Sequence, residues 1–287
     1  MAYYGSIEAG GTKFVCAIAD EELKIIERIS LPTTLPEATL EQVFTFFDSY
    51  DLTALGVGSF GPIDVNRKSS TYGYITSTPK PGWRNIDLLG ALKARYDIPI
   101  AWTTDVNAAA YGEMHLGAGK DTQSCIYLTV GTGVGGGAVV NGVVLQGFSH
   151  PEMGHISVQR YPNDTVESTC PYHDNCLEGL AAGPALEKRT GIKGQSLAFD
   201  HDVWAIEAFY LAQALMNYTL VLSPEKIILG GGVMKQAQLF PMIRESLKQQ
   251  LGDYVALPPL EDYIVGCDLE DNSGTMGCLL LAKEQCA

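Results

Sequence analysis

The chain has 287 residues, which exceeds a typical single domain of about 100–200 residues, so two folded cores are expected. Hydrophobic residues make up 46% and charged residues 18%, a composition that suits a folded globular protein and excludes a disordered one. The net charge of −14, with 19 basic and 33 acidic residues and no run of Lys or Arg, argues against a nucleic-acid partner.

Nothing at the N-terminus predicts export. The first residues lack a basic region followed by a long apolar core, so no signal peptide is predicted, and no run of 18 apolar residues predicts a membrane span. The seven cysteines are an odd number, and most stand singly in apolar runs. This usage is typical of a reduced, cytoplasmic protein whose thiols pack as small hydrophobic groups.

The chain opens with a predicted hairpin: a strand over residues 3–8, a glycine turn, and a returning strand over Lys13–Ala19. The pattern recurs in the second half, with a strand over 124–130, a glycine turn over 131–137 and a returning strand over 138–140. Two similar hairpins, each opening one half of the chain, predict two related α/β lobes.

Helical and strand patterns alternate over the rest of the chain. The predicted helices cover residues 40–50, 86–96, 105–116, 203–222 and 274–283. The other predicted strands cover residues 54–59, 98–103, 143–145 and 226–229.

Both glycine turns have the composition of a phosphate-binding loop. Backbone N–H groups can surround a phosphate only where no Cβ blocks the approach. Residues 10–13 offer such amides together with a hydroxyl and a cation, close to the acid Glu8. Residues 131–137 offer a longer cradle in which Thr132 can donate. Either loop alone could be a plain hairpin turn, but the two together favour phosphate binding.

Residues 131–136 also match the dinucleotide-binding pattern G-x-G-x-x-G. That pattern requires a helix directly after the turn, and here a second hairpin follows, so this interpretation fails. A third glycine group, residues 230–232, follows a predicted strand and would allow the close approach of a flat adenine and its ribose. A strand-to-helix turn would have the same composition.

Asp105 is the candidate catalytic carboxylate. Phosphoryl transfer from ATP to an alcohol needs a carboxylate that takes the hydroxyl proton. Asp105 stands at the end of a predicted strand and the start of a predicted helix, where ligands bind in open α/β sheets. The same position suits a helix N-cap, a role that Asp often fills. Position alone favours the cap over the base.

Two imidazoles and two thiolates form a candidate metal site with the short ligand spacing of a structural zinc loop. These residues are His155, Cys170, His173 and Cys176. Four protein ligands leave no open position for water, so the zinc would be structural; a reduced loop with incidental Cys and His is the alternative. The remaining histidines, His115, His150 and His201, are interpreted as surface or core residues.

The sequence resembles the sugar kinases of the ROK family (repressor, open reading frame, kinase), and within it the bacterial fructokinase branch. The resemblance runs from about residue 4 to about residue 281. The matching motifs lie at residues 8–13, 59–64, 77–83, 105–113, 131–137, 152–155, 170–178 and 230–233.

The resemblance implies an α/β fold of the actin-like ATPase (ribonuclease H-like) type, with two lobes and a cleft between them. The small N-terminal lobe would cover residues 1–115, and the large C-terminal lobe with the zinc loop would cover 116–273. The closing helix, 274–287, would pack back on the small lobe.

The resemblance also implies roles for individual residues, and it makes Asp105 the general base, reversing the order from position alone. The implied ATP contacts are Gly10, Gly11, Thr12, Lys13, Gly131, Thr132, Gly133, Gly230, Gly231 and Gly232. The implied sugar contacts are Gly61, Asp105, Glu152, His155 and Glu178. The implied zinc ligands are His155, Cys170, His173 and Cys176, so His155 would serve zinc and sugar together.

Three positions depart from the wider family: Glu8 where most members carry Asp, Thr104 where most carry Asn, and His173 as the middle residue of the zinc loop. These departures resemble the fructokinase branch and argue against a glucokinase. The implied reaction is ATP-dependent phosphorylation of D-fructose at its 6-hydroxyl, giving fructose 6-phosphate and ADP, with Mg²⁺ on the ATP and structural Zn²⁺.

The implied protein is a cytoplasmic homodimer. One alternative is a related hexose kinase that prefers mannose or glucose, and another is a non-catalytic sugar-binding regulator. The family's repressors carry a helix-turn-helix before the first glycine hairpin, and here the first predicted strand begins at Tyr3.

Overall fold

The computed structural model describes residues 2–286, so Met1 and Ala287, at the outer ends of the predicted lobes, lie outside the described residues. The chain divides into two compact units. Unit 1 consists of Met1–Gly117, Val144–Pro151 and Leu269–Ala287. Unit 2 consists of Ala118–Val143 and Glu152–Asp268. Each unit combines one five-stranded sheet with helices, in agreement with the predicted α/β class.

Strands and helices are interspersed along the described chain. The strands are β1 (Tyr3–Ala9), β2 (Lys13–Ala19), β3 (Ile25–Pro32), β4 (Leu52–Ser59), β5 (Tyr74–Ile75), β6 (Ile86–Asp87), β7 (Ile100–Thr104), β8 (Cys125–Val130), β9 (Val134–Val140), β10 (Val143–Val144), β11 (Lys226–Gly230) and β12 (Ile264–Gly266). The helices are α1 (Pro36–Phe47), α2 (Leu88–Arg95), α3 (Asp105–Leu116), α4 (Leu177–Ala181), α5 (Gly183–Thr190), α6 (Val203–Leu222), α7 (Leu239–Leu251), α8 (Leu260–Tyr263) and α9 (Ser273–Glu284).

The unit 1 sheet has the strand order β3-β2-β1-β4-β7. Strands β1, β2 and β3 form an antiparallel meander, whereas β1, β4 and β7 run parallel. Because side chains alternate across a strand, Ile7 of β1 faces the main core with α1 and α2, and Tyr4 faces α9. The parallel strands β1, β4 and β7 end at one common edge of the sheet, because their last residues pair with one another.

Glycines bring α3 and α9 into close contact with each other and with β4. A Cβ on Gly56 of β4 would lie 1.8 Å from the carbonyl oxygen of Cys278 in α9. A Cβ on Gly277 of α9 would lie 1.7 Å from the carbonyl oxygen of Ala108 in α3. Larger side chains at these positions would separate the backbones, so the glycines fix the position of α3, whose first residue is Asp105.

The unit 2 sheet has the strand order β10-β9-β8-β11-β12. Strands β8 and β9 are antiparallel, and β8, β11 and β12 run parallel. Helix α6 packs against α4, α5 and α7. Among the described helices, α6 is the one long and apolar enough to cross a membrane, a property that core helices share. Its Trp204 and Tyr210 are fully buried within the unit.

Several sequence predictions hold with their bounds, among them β2, α3 and α6. The predicted helix over residues 86–96 is wrong at its start, because Ile86–Asp87 pairs with β5 and the Asp87 side chain then accepts from the Gly90 N–H to begin α2. No strand was predicted over β3, although it forms the edge of the first sheet.

The predicted turn over residues 131–137 is also wrong in length. Strand β9 begins at Val134, and Gly135, Gly136 and Gly137 pair with β8. A Cβ on Gly136 would lie 2.7 Å from the Cβ of Met153, so this glycine allows close packing rather than a turn. The turn therefore covers only residues 131–133, because the later glycines belong to strand β9.

Candidate functional site

In unit 1, three chain segments meet at the carboxyl edge of the sheet. Ala9 of β1 pairs with Ser59 of β4, and Ser59 pairs with Thr104 of β7. The residues that follow these three ends are the turn 10–13, the loop containing Gly61, and Asp105. The predicted catalytic residue therefore lies at the same edge as one predicted phosphate turn and one predicted sugar contact, where ligands bind in open α/β sheets.

Asp105 is the first residue of α3 and not its cap. The N-cap is Thr104, whose side-chain oxygen accepts from the backbone N–H of Asn107 at 3.1 Å. Oδ1 of Asp105 accepts a hydrogen bond from the backbone N–H of Val106 at 2.9 Å. The capping role that competed with catalysis is thus performed by the preceding residue, and a carboxylate in the first turn also suits the helix dipole.

The first glycine turn presents free amides. Its carbonyl groups at Gly10 and Thr12 accept hydrogen bonds from the Thr33 hydroxyl at 2.7 Å and the Thr33 N–H at 2.9 Å, respectively. Within residues 2–286, by contrast, no acceptor takes the N–H of Gly11 or Thr12. Lys13 is exposed at the start of β2. Two amides, a hydroxyl and a cation are therefore available to an anion.

Glu8 lies beneath this turn on β1. Its carboxylate accepts a hydrogen bond from Thr275 of α9 at 3.1 Å, and a Cβ on Gly274 would lie 2.7 Å from the Glu8 carboxyl carbon. Burial raises the pKa of Glu8, and the hydrogen bond from Thr275 and the nearby cations Arg28 and Lys13 lower it by less. Helix α9 thus fixes this acid in place.

In unit 2, the second turn and the third glycine group lie side by side. They follow the neighbouring parallel strands β8 and β11, and a Cβ on Gly131 would lie 3.9 Å from the backbone nitrogen of Gly232. Within the described residues, no acceptor takes the N–H of Thr132 or Gly133. Gly231 has φ +90°, which only glycine adopts without strain. The backbone conformation after β11 therefore requires a glycine at position 231. A Cβ on Gly232, by contrast, would have no neighbouring atom within 4 Å.

Glu178 of α4 contacts the second turn directly. Its Oε2 accepts from the backbone N–H of Val134 at 3.0 Å, and a Cβ on Gly133 would lie 2.6 Å from that oxygen. Its Oε1 lies 4.0 Å from Nε2 of His155. A Cβ on Gly154 would lie 1.8 Å from the Val134 carbonyl oxygen, so the segment carrying His155 packs against the same residue.

Glu152 stands at the start of the short 3-10 helix Met153–His155. Desolvation raises the pKa of its carboxyl, the nearby His155 lowers it by less, and Glu178 raises it further. The structure thus brings three predicted sugar contacts, Glu152, His155 and Glu178, into one patch of unit 2.

The four predicted metal ligands also come together in unit 2. Their ligand atoms all lie within 4.8 Å of one another; the residues are His155, Cys170, His173 and Cys176. The Cys170 Sγ lies 3.8 Å from Nδ1 of His155 and 3.6 Å from Nδ1 of His173. In a tetrahedral zinc site, bond lengths of about 2.3 Å to sulfur and 2.0 Å to nitrogen place such atoms about 3.6 Å apart. The group therefore has the size and donor set of a metal site.

Hydrogen bonds hold this ligand loop in shape. The Arg160 guanidinium donates to the carbonyl oxygens of Val166 at 2.7 Å and Asp174 at 2.9 Å. The Cys176 thiol caps α4 by accepting from the Gly179 N–H. Burial raises the pKa of Cys176 to about 11, so that a bound cation is needed to keep it a thiolate at neutral pH.

The fold, the two glycine turns and the Cys/His group together define the class of protein: the chain belongs to the ROK family, whose sequence profile matches residues 4–285. It is 53% identical over 279 residues to a fructokinase from Pediococcus pentosaceus, covering 97% of both chains. It is 51% identical over 285 residues to a fructokinase from Lactococcus lactis subsp. cremoris, covering 98% of this chain and 97% of that one.

A solved structure, the ROK hexokinase from Thermus thermophilus, matches with a TM-score of 0.79 at 26% identity, covering 99% of both chains. The predicted ROK membership and the actin-like ATPase fold are thereby confirmed.

The residues that support the site could not be identified from the sequence. Thr275, Arg160 and His150 were assigned no role, although each hydrogen-bonds to a candidate site residue or to a loop that carries one. Two of these hydrogen bonds join distant segments, since Thr275 and Glu8 are separated by 267 positions and His150 and Ile63 by 87. No local pattern signals such pairs.

Proposed function

We propose that this chain is a kinase that transfers the γ-phosphoryl group of ATP to the 6-hydroxyl of D-fructose, giving fructose 6-phosphate and ADP. The observation that carries the proposal is Asp105, a first-turn carboxylate relieved of capping by Thr104 and lying at the same sheet edge as an amide-lined turn. The two fructokinases with 51% and 53% identity over nearly the whole chain support the choice of sugar.

In this proposal, Asp105 is the general base that accepts the proton of the reacting hydroxyl. The free amides of the glycine turns hold the phosphate oxygens and stabilise the charge that moves toward the leaving ADP. Mg²⁺ carried by ATP would neutralise the phosphate charge. The proposed ATP contacts are Gly10, Gly11, Thr12, Lys13, Gly131, Thr132, Gly133, Gly230, Gly231 and Gly232.

The proposed sugar contacts are Gly61, Asp105, Glu152, His155 and Glu178. We assign the metal to zinc, since two thiolates and two imidazoles form a filled tetrahedral set without an open position. Zinc bound to Nδ1 of His155 would orient the other ring nitrogen, Nε2, toward Glu178. Zinc would then be structural and would shape the sugar-binding patch.

We also propose that the enzyme works in the cytoplasm as a homodimer, with lobes over residues 1–115 and 116–273 and the closing segment 274–287 on the first. None of the seven cysteines, all of which lie within the described residues, forms a disulfide, which supports a reducing compartment. The dimer and the lobe limits rest on the resemblance to the family.

A kinase assay tests the function. Purified protein with ATP and Mg²⁺ is offered fructose, mannose, glucose, N-acetylglucosamine and N-acetylmannosamine, and ADP release is measured by a coupled reaction. The proposal predicts the highest kcat/KM for fructose. Preference for mannose or glucose would assign a related hexose kinase, and fructose binding by calorimetry without ADP release would assign a sugar-binding regulator.

A further inference from the structure

The segment Val144–Pro151 belongs to unit 1, although the chain on both sides of it belongs to unit 2. Its contact with unit 1 includes the buried imidazole of His150, whose Nε2 accepts a hydrogen bond from the backbone N–H of Ile63 at 3.0 Å. The other ring nitrogen, Nδ1, lies 3.4 Å from the carbonyl oxygen of Pro151. This arrangement requires the neutral tautomer with hydrogen on Nδ1.

Ile63 lies in the loop that follows β4 and contains Gly61. Two carbonyl oxygens of this loop also accept hydrogen bonds: Thr76 donates from its N–H and its hydroxyl to the Pro62 carbonyl oxygen, at 2.8 and 3.0 Å. Trp102 donates from Nε1 to the Asp64 carbonyl oxygen at 3.0 Å. The buried N–H of Ile63, in contrast, is taken by a side chain that lies 87 positions away. A buried amide N–H without an acceptor costs free energy, so the bond to His150 stabilises this conformation of the loop.

The loop begins next to the strand that leads into Asp105. Ser59, the last residue of β4, pairs with Thr104, the residue before Asp105, and Phe60 donates its N–H to the Ala9 carbonyl oxygen at 2.7 Å. The backbone is therefore held on both sides of Gly61: at Phe60 by the Ala9 carbonyl oxygen, and at Ile63 by the His150 side chain.

We infer that His150 is a positioning residue for the sugar, acting through the Ile63 N–H to hold Gly61 in place beside Asp105. This inference rests on the proposed function, in which Gly61 contacts the sugar. Burial lowers the pKa of His150, and the two backbone contacts oppose this less strongly, so the ring stays neutral and able to accept.

Three variants test the role. His150→Phe keeps a ring but removes the acceptor, and His150→Gln places an amide oxygen near the position of Nε2. The matched control is His201→Phe, since His201 also accepts a backbone N–H, from Val203 at the start of α6, at 3.1 Å. The readouts are KM for fructose, KM for ATP, kcat, and the hydrogen exchange of the Ile63 amide.

We expect His150→Phe to raise KM for fructose about tenfold while KM for ATP stays within about twofold, with faster exchange at Ile63. His150→Gln should recover most of the fructose KM, and His201→Phe should leave it unchanged. Equal increases in both KM values, or no rescue by Gln, would overturn the positioning role.

Unchanged Ile63 exchange in His150→Phe would overturn the anchoring itself. If His150→Phe does not fold, the same comparison is made between wild type and His150→Gln, in which Ile63 protection and the fructose KM should both stay near wild type. Absence of hexose turnover in the wild type would overturn the proposed function, and the sugar-positioning role with it, whatever the exchange result.

Discussion

The Glu178 carboxylate accepts the backbone N–H of Val134 at 3.0 Å, while its second oxygen lies 4.0 Å from Nε2 of His155. One side chain thereby links the glycine turn of unit 2 to the Cys/His group. A change at either end alters the position of the same carboxylate. The link predicts that loss of Glu178 affects both substrates of the proposed reaction.

Glu178→Ala removes the acceptor of the Val134 N–H together with the proposed sugar contact. We expect KM to rise about tenfold for ATP and for fructose, because a hydrogen bond to a charged acceptor is lost at each site. Glu178→Gln keeps an oxygen that can accept from Val134, so only KM for fructose should rise. Steady-state kinetics give both constants.

The control for Glu178 is Glu167→Ala, since Glu167 is exposed and forms a surface ion pair with Lys188. This variant should match the wild type. An unchanged KM for ATP in Glu178→Ala would show that the Val134 bond does not shape the phosphate turn.

The Cys/His group predicts about one zinc per chain in purified active protein, because a closed set of four ligands binds one ion. Cys176→Ser should lose the metal and lower the melting temperature, since metal binding and folding are coupled. Elemental analysis and thermal unfolding measure both effects. Cys286→Ser, at an exposed thiol, should keep the metal. Active protein without zinc would refute the assignment.

Glu207 of α6 predicts a pH dependence of stability. Its side chain is fully buried, and within residues 2–286 neither carboxylate oxygen has a hydrogen-bond partner. Burial raises the pKa of Glu207 well above its ordinary value of 4.5, and Arg189, which donates to Asp164 at 2.8 Å, lowers it by less. The folded state therefore retains a proton that the unfolded state releases.

Because the folded state binds more protons, the contribution of Glu207 is present at pH values below 4.5 and is lost as pH rises toward its folded pKa. Glu207→Gln removes this pH-dependent loss of stability, because a glutamine side chain does not ionise. We expect the melting temperature of the variant to exceed that of wild type by at least about 2 °C at pH 8, with a smaller gap at pH 5. Thermal unfolding at the two pH values measures the gap; an equal gap would contradict the account.

Local patterns in the sequence predicted much of this fold. Strand β2 and helices α3 and α6 have the predicted limits, because hydrophobic periodicity and glycine turns act over a few neighbouring residues. The four metal-type ligands could be selected for the same reason, since three of them lie within residues 170–176.

Other features depend on contacts that close only after folding. The residues at 135–137 were predicted to turn because glycine permits turns, yet they serve a strand that packs closely under Met153. Likewise, Asp105 could not be separated from a helix cap until the side chain of Thr104 was located. The bonds of Val134 to Glu178 and of Ile63 to His150 join distant segments, and residue type alone does not reveal them.

The central claim is that Asp105 is the base of a fructose kinase, and Asp105→Asn tests it most directly. The variant is compared with wild type at saturating fructose, ATP and Mg²⁺, with ADP release followed by a coupled reaction. We predict a fall in kcat of about 100-fold or more with little change in melting temperature, because Thr104 caps α3. Turnover close to that of the wild type would contradict the assignment.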